Sequence, residues 1–362
     1  MKLKKIISEL EKMFPKNLAE EWDNTGLMVG EMESEINRIQ ISLDITDETV
    51  EKAINSKADL IITHHPMIFR GIKSVTDENK SGKRIISLIK NGISVYSMHT
   101  NLDSAKGGLN QYIAEKLGMK SGKIIDKKEE KIFKARIFIP VEKTDKFIEK
   151  LKESGIIYGE KYSNGLYVYE VFERYTPLNE SAPFKGEVGK EEVNRVNCIE
   201  YILKESNIRR AEEFVIKNHP YEEPAYEFSE TGIKVEIGGI GRVFELENSM
   251  EIEEFIKFVK KVLNIENVRV VFGKSSLIKK AAIVNGSGAE YITKLKKFGV
   301  DIYITSDIKY HEAQAGKENG LTLMDIGHFE GEVWFADIIG NCLEKMKIEN
   351  YTFNGDSLFK TF

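Results

Sequence analysis

Four of the chain's six histidines stand beside carboxylates or beside one another: His64 and His65 in THHP, His99 four residues before Asp103 in HTNLD, and His328 four residues before Glu332 in GHFEGE. Neutral imidazole is the commonest transition-metal ligand, and carboxylates complete mixed nitrogen and oxygen sites for zinc, iron or manganese. A lone histidine is more often structural, but this clustering points to metal chemistry. The two cysteines, Cys198 and Cys342, lie far apart with no CxxC spacing, which excludes a disulfide framework and a closed thiolate zinc site. Five residues (His64, His65, Asp103, His328 and Glu332) suffice for two divalent ions if one carboxylate is shared. Glu332, on the longer side chain, is the expected bridge. The structural alternatives are a turn in HTNLD, where Asn101 and Asp103 cap backbone groups, and an acidic helix N-terminus in GHFEGE.

These residues need a scaffold that gathers them. From Arg38 the pattern reads strand (RIQISLD), helix (TDETVEKAINSK), strand (ADLIITHHP), helix (KRIISLIK) and strand (ISVYSMH), which predicts a mostly parallel α/β sheet. In such sheets ligands collect beyond the carboxyl ends of strands, where His64, His65, His99 and Asp103 fall. The C-terminal third repeats the rhythm with KKAAIVN, VDIYITSD and LTLMDIGH. ADLIITHHP aligns with VDIYITSDI, and NGISVYSMHTNLD with NGLTLMDIGHFEGE, so the chain reads as an internal duplication. Chance similarity between α/β units is the alternative.

Between the halves the order changes to β-α-β-β-α-β, the ferredoxin-like arrangement, from about 127 to 233. The expected organisation is an α/β core over 1–126 and 234–362, internally duplicated, with an inserted α+β domain over 127–233. The last strand of the insert is expected at PAYEFSE. At 362 residues two domains are the natural prior, and 41% apolar with 31% charged residues is ordinary globular composition. A net charge of -5 argues against a general nucleic-acid-binding face. MKLKKIISELEKMFP reads as an amphipathic helix stopped at Pro15 rather than a signal peptide, and no run reaches membrane-spanning length, so a cytoplasmic protein is expected.

The segments EEWDNTGLMVG, HHPMIF, HTNLDSAKGGLN, SDIKYHEAQ and DIGHFEGE, in this order and spacing, resemble the GTP cyclohydrolase 1 type 2 homologues, dinuclear-metal Nif-three-like proteins. By that resemblance His64, His65, Asp103, His328 and Glu332 take the family's metal positions, while His99, the sixth ligand the duplication would nominate, orients Asp103 or a ligand. The resemblance also implies a PII-like, CutA-like insert carrying NHPYEEPAYE, and a ring-shaped homohexamer. The sequence departs from the family pattern at Phe244 and Ser306, where glycines are usual.

The implied activity is metal-dependent hydrolysis, with opening of the GTP imidazole ring as the named reaction. A non-catalytic metal-binding or regulatory protein and a two-metal phosphoesterase are the competing readings. His99, Tyr310 and His311 are the catalytic candidates, and a nucleotide or other small molecule is the expected ligand. NGSG at 285–288 could offer backbone N–H groups to an anion or form a plain left-handed turn. Trp22, Asp23 and Asn24 either line the cavity or anchor the first helix with Trp22 in the core. His219 belongs to packing rather than chemistry.

Overall fold

The computed structural model describes residues 1–119 and 122–360, which divide into two compact units, Met1–Lys128 with Gly238–Phe362, and Glu129–Ile237.

The first unit opens with α1 (Leu3–Met13), whose Leu3, Ile6, Ile7 and Leu10 form one buried stripe. There follow β1 (Gly26–Val29), β2 (Arg38–Ser42), α2 (Asp47–Asn55), β3 (Leu60–Thr63), α3 (Lys80–Lys90), β4 (Ser94–Ser97), α4 (Thr100–Ser104) and α5 (Leu109–Lys116). Thr46 starts α2 by accepting a hydrogen bond from the Thr49 amide at 3.1 Å, with Asp47 and Glu48 suiting the positive end of the helix. The strand β5 (Lys123–Pro140) leads into the second unit, which holds α6 (Thr144–Glu153), β6 (Leu166–Tyr175), β7 (Glu192–Lys204) and α7 (Ile208–Asn218). The chain returns along β8 (Tyr226–Glu251) to α8 (Ile252–Leu263), β9 (Arg269–Val271), β10 (Leu277–Ser287), α9 (Ile292–Leu295), β11 (Ile302–Ser306), α10 (Tyr310–Glu318), β12 (Thr322–Asp325), α11 (His328–Glu332), α12 (Phe335–Lys345) and β13 (Glu349–Thr352).

Two sheets build the first unit. One has the order β1-β4-β3-β2-β13, with β2, β3 and β4 mutually parallel; in the other β8-β10-β11-β12-β9 lie side by side, with β10, β11 and β12 parallel. The core strands are buried throughout β3, β4, β11 and β12, as a parallel sheet covered on both faces requires. The two trios share a detail at their amino ends. Asp59 accepts from the amides of Asn37 and Arg38 at 2.8 and 3.0 Å, and Asp301 accepts from those of Lys279 and Lys280, both at 2.9 Å.

The second unit runs β5-α6-β6-β7-α7-β8 along the chain, with its strands ordered β6-β7-β5-β8. Its core gathers Phe147 and Leu151 of α6, Ala211 and Val215 of α7, and the inner residues of β5 and β7. The strand expected at PAYEFSE does not end there: β8 continues to Glu251. Gly239 (φ 145°) and Gly241 (φ 68°) bend the strand rather than stop it, and from Arg242 it pairs with β10. No helix among the described residues is long and apolar enough to cross a membrane.

Candidate metal centre

The parallel trios deliver their chemistry at their carboxyl ends. His64 and His65 follow β3, their amides still bonded to the carbonyls of Ser42 and Leu43 at 3.3 and 3.0 Å, so neither backbone is free to swing. His99, just beyond β4, is the N-cap residue of the short α4 that holds Asp103; His328 opens α11 and Glu332 ends it. Gly327, at φ 86°, makes the turn between β12 and α11.

Each of the four imidazoles is oriented through Nδ1 by a group that only accepts hydrogen bonds. His64 donates to the Met98 carbonyl (2.9 Å), His65 to Asp44 (2.8 Å), His99 to Asp23 (2.9 Å) and His328 to Asp307 (2.7 Å). The proton is thereby fixed on Nδ1, and in the neutral ring Nε2 is left as a bare lone pair. These Nε2 atoms converge. That of His65 lies 2.8 Å from Glu332 Oε2 and 3.4 Å from His328 Nε2, while His328 Nε2 lies 2.9 Å from the same oxygen. His64 Nε2 lies 3.7 Å from Asp103 Oδ1 and 3.7 Å from Glu332 Oε1. Nitrogen and oxygen atoms of His64, His65 and His99, and of His65, His328 and Glu332, are close enough in each group to hold a metal ion.

The polar balance fits a cation. His64 is fully buried, and its Nε2 has no hydrogen-bond partner. Leaving such an atom unsatisfied costs about 1–3 kcal/mol, so the fold retains it against its own stability. Two ligands each about 2.0–2.2 Å from one ion stand about 3–4 Å apart, which spans the distances from His64 Nε2 to both carboxylates. Without a metal, protons take its place. His65 would be pushed down by burial, but its hydrogen bonds to Asp44 and Glu332 hold it up at about 10. The hydrogen bond to Glu332 likewise lifts His328 to about 9. Burial raises Asp103, whereas His64 and the hydrogen bonds from His328 and His65 overcome burial and hold Glu332 well below the carboxylate range.

Two neighbours shape this centre. Asn285 donates its side-chain amide to Asp103 Oδ1 at 3.0 Å. Gly286, at φ 62°, passes so close that any Cβ there would collide with Glu332 Oε1. The expected turn is not formed: Asn285–Ser287 belong to β10, and Gly286 is a single left-handed residue in the irregular stretch of its pairing with β11, where it makes room for Glu332. The amides of Asn285 and Gly288 are not free for an anion, because they donate to Asn110 (2.8 Å) and Thr305 (3.0 Å).

His99 Nδ1 is engaged by Asp23 rather than Asp103, so of its two expected roles, orienting Asp103 or orienting a ligand, this contact serves neither directly. Trp22 is 59% exposed, which overturns its placement in the core; Asp23, not the indole, anchors this loop. Tyr310 and His311 are exposed and pack edge-on against each other at 5.4 Å, outside the group of residues brought together here. Glu312 accepts from the Lys309 amide at the start of α10. His219 has both ring nitrogens engaged, by the Phe138 carbonyl (2.8 Å) and the Tyr221 amide (3.0 Å). The Nδ1 partners Asp44 and Asp307 were not singled out by sequence reasoning. Their signal is positional: each lies just beyond the carboxyl end of a parallel strand, in ISLD and ITSD.

The family model for Duf34/NIF3 (NGG1p interacting factor 3) matches residues 1–358. A Staphylococcus epidermidis protein named GTP cyclohydrolase 1 type 2 homolog is 32% identical over 352 residues, 97% of this chain and 95% of that protein. A Bacillus subtilis protein of the same name is 33% identical, covering 91% and 88% respectively. Among solved structures, a Bacillus cereus protein related to NIF3 superposes with a TM-score of 0.86 at 31% identity, over 100% of this chain and 99% of that one. A Staphylococcus aureus protein gives a TM-score of 0.75 at 32% identity, with the same coverage. The chain belongs to the Duf34/NIF3 family.

Proposed function

We propose that the chain is a dinuclear, metal-dependent hydrolase whose two divalent ions are held by His64, His65, Asp103, His328 and Glu332. The observation that carries this reading is the buried, partnerless Nε2 of His64 aimed between two carboxylates. Glu332 would be the carboxylate that both ions share. Its Oε1 faces His64 and its Oε2 faces His65 and His328, so the two oxygens serve different neighbours. When bound, zinc, iron or manganese supplies Lewis acidity toward an electrophilic carbon or phosphorus and a nucleophile at neutral pH.

The chain's own groups do the rest. Asp44 and Asp307 keep the Nε2 lone pairs of His65 and His328 forward, Asn285 fixes Asp103, and His99, held by Asp23, offers Nε2 to a proton at the edge of the cluster. The name shared by the curated relatives directs the substrate toward GTP and imidazole ring opening. The strand order of the second unit and the NHPYEEPAYE segment support a PII-like insert, and the reading extends to a homohexamer.

Elemental analysis of protein purified without chelator, followed by incubation with GTP, tests this. Two equivalents of divalent metal and release of formate are expected. Phosphate release instead would make the protein a two-metal phosphoesterase. Metal exchange without turnover would make it a storage or regulatory protein.

A further inference from the structure

We propose that Trp22 and Phe69 form a stacking platform that binds the planar heteroaromatic ring of the molecule acted on at the metal centre. Both side chains are large and apolar, yet they stand 59% and 45% exposed. They are not scattered surface residues. Their ring centroids are 5.9 Å apart at 51°, and the Trp22 indole meets His99 edge-on at 6.0 Å. The His99 ring in turn lies 5.2 Å from that of His64 and 5.6 Å from that of His65. A continuous series of rings thus leads from exposed indole to buried metal-binding imidazole.

The platform is held in place by polar contacts that flank it. The Asp23 carboxylate, with no exposed side-chain surface, accepts from His99 Nδ1, from the Thr100 amide at 3.1 Å and from the Thr100 hydroxyl at 2.5 Å. Asn24 donates to the Ile68 carbonyl at 2.5 Å, tying the Trp22 loop to the residue before Phe69. Fixed aromatic rings bind with little further loss of conformational freedom, and a π-face accepts any flat heterocycle without needing its hydrogen-bond pattern. A nucleotide whose base stacks on Trp22 therefore keeps the polar edges of the base, or its phosphates, free for the cluster. This inference rests on the hydrolase reading for what happens to the bound molecule, but not for the binding itself.

Calorimetric titration of the full chain, metal-loaded and metal-depleted, with guanosine and with ribose 5-phosphate separates the two. Guanosine should bind both forms of the protein and ribose 5-phosphate should not bind the metal-depleted form. Trp22→Ala should weaken guanosine binding by about tenfold to a hundredfold while Trp22→Phe keeps most of it. Metal content should be the same in all three proteins. Equal binding of guanosine by wild type and Trp22→Ala, equal binding of the two ligands by metal-depleted protein, or no guanosine binding would overturn the platform. So would a change of oligomeric state in Trp22→Ala by sedimentation, because a second copy of the chain would then be what covers the rings. Purified protein that contains no metal but binds guanosine through Trp22 would sink the hydrolase reading and leave the platform standing.

Discussion

The two parallel trios β2-β3-β4 and β10-β11-β12 are alike at their amino ends and unlike at their carboxyl ends. At the amino end of each middle strand an aspartate, Asp59 or Asp301, gathers two consecutive amides, Asn37 and Arg38 at the start of β2 or Lys279 and Lys280 in β10. Beyond the carboxyl ends the first trio supplies His64, His65, His99 and Asp103, whereas the second supplies His328, Glu332 and the orienting Asp307. Two trios of like topology can thus hold the same framing contacts while the residues at the site differ. The cluster gains from this, because identical groups could not divide into ligands, bridge and orienting partners.

The comparison breaks most completely at Glu332. If its two oxygens serve two ions, Glu332→Gln should lower the affinity for both metals while the fold stays intact, since an amide cannot balance two positive charges. Competitive chelator titration with circular dichroism checks this. One metal retained at wild-type affinity would make Glu332 a terminal ligand. A smaller loss, about one equivalent each, is expected for His65→Ala and Asp103→Ala, because an ion with so few protein ligands does not survive the removal of one. Unchanged metal content in both variants would remove these residues from the site.

The amino ends should behave in the opposite way. Asp59→Ala and Asp301→Ala each remove an acceptor shared by two backbone amides, at a cost of about 1–3 kcal/mol. The two losses should be similar, and metal content should not change. Urea denaturation of both variants measures it. A loss confined to one of them would show that the resemblance of the two trios does not extend to their energetics.

Much of the scaffold was legible because strand and helix periods alternate cleanly and the histidines mark strand ends. Thr46 and Pro15 signal the start of α2 and the stop of α1 in the sequence itself. What stayed hidden depends on contacts distant in sequence. The partners Asp44 and Asp307 lie 21 residues from the histidines they orient, and neither ISLD nor ITSD says which ring will arrive there. Gly286 reads as an ordinary turn, and only the approach of Glu332, which lies far along the chain, gives it a second reason to be glycine. The length of β8 was missed because pairing with β10, a contact the local sequence does not display, carries the strand past PAYEFSE to Glu251. Of the two places open to Trp22, the cavity wall and the core, the core fails because the hydrogen bonds of Asp23 and Asn24, contacts distant in sequence, keep its loop at the surface.

The smallest effect belongs to the position where the two halves diverge most directly. In the alignment of ADLIITHHP with VDIYITSDI, Ser306 stands where the first half has His64. Its hydroxyl is buried and donates to the Gly327 carbonyl at 2.8 Å, immediately before His328. The second half therefore uses this position to pin the turn that presents one proposed ligand, His328, where the first half places another, His64. Glycine, which the family resemblance makes usual here, would lose that bond and leave the Gly327 carbonyl to find another partner. Ser306 does not sit at a positive φ, so glycine's conformational freedom brings no compensating relief. Ser306→Gly should cost about 1 kcal/mol in unfolding free energy. It should leave the metal equivalents intact, because Asp307 and not Ser306 orients His328. Urea denaturation and elemental analysis of the same preparation measure both quantities. A variant that loses a metal equivalent would place Ser306 among the groups that hold the cluster, and the division of labour between the halves would then be less complete than their geometry indicates.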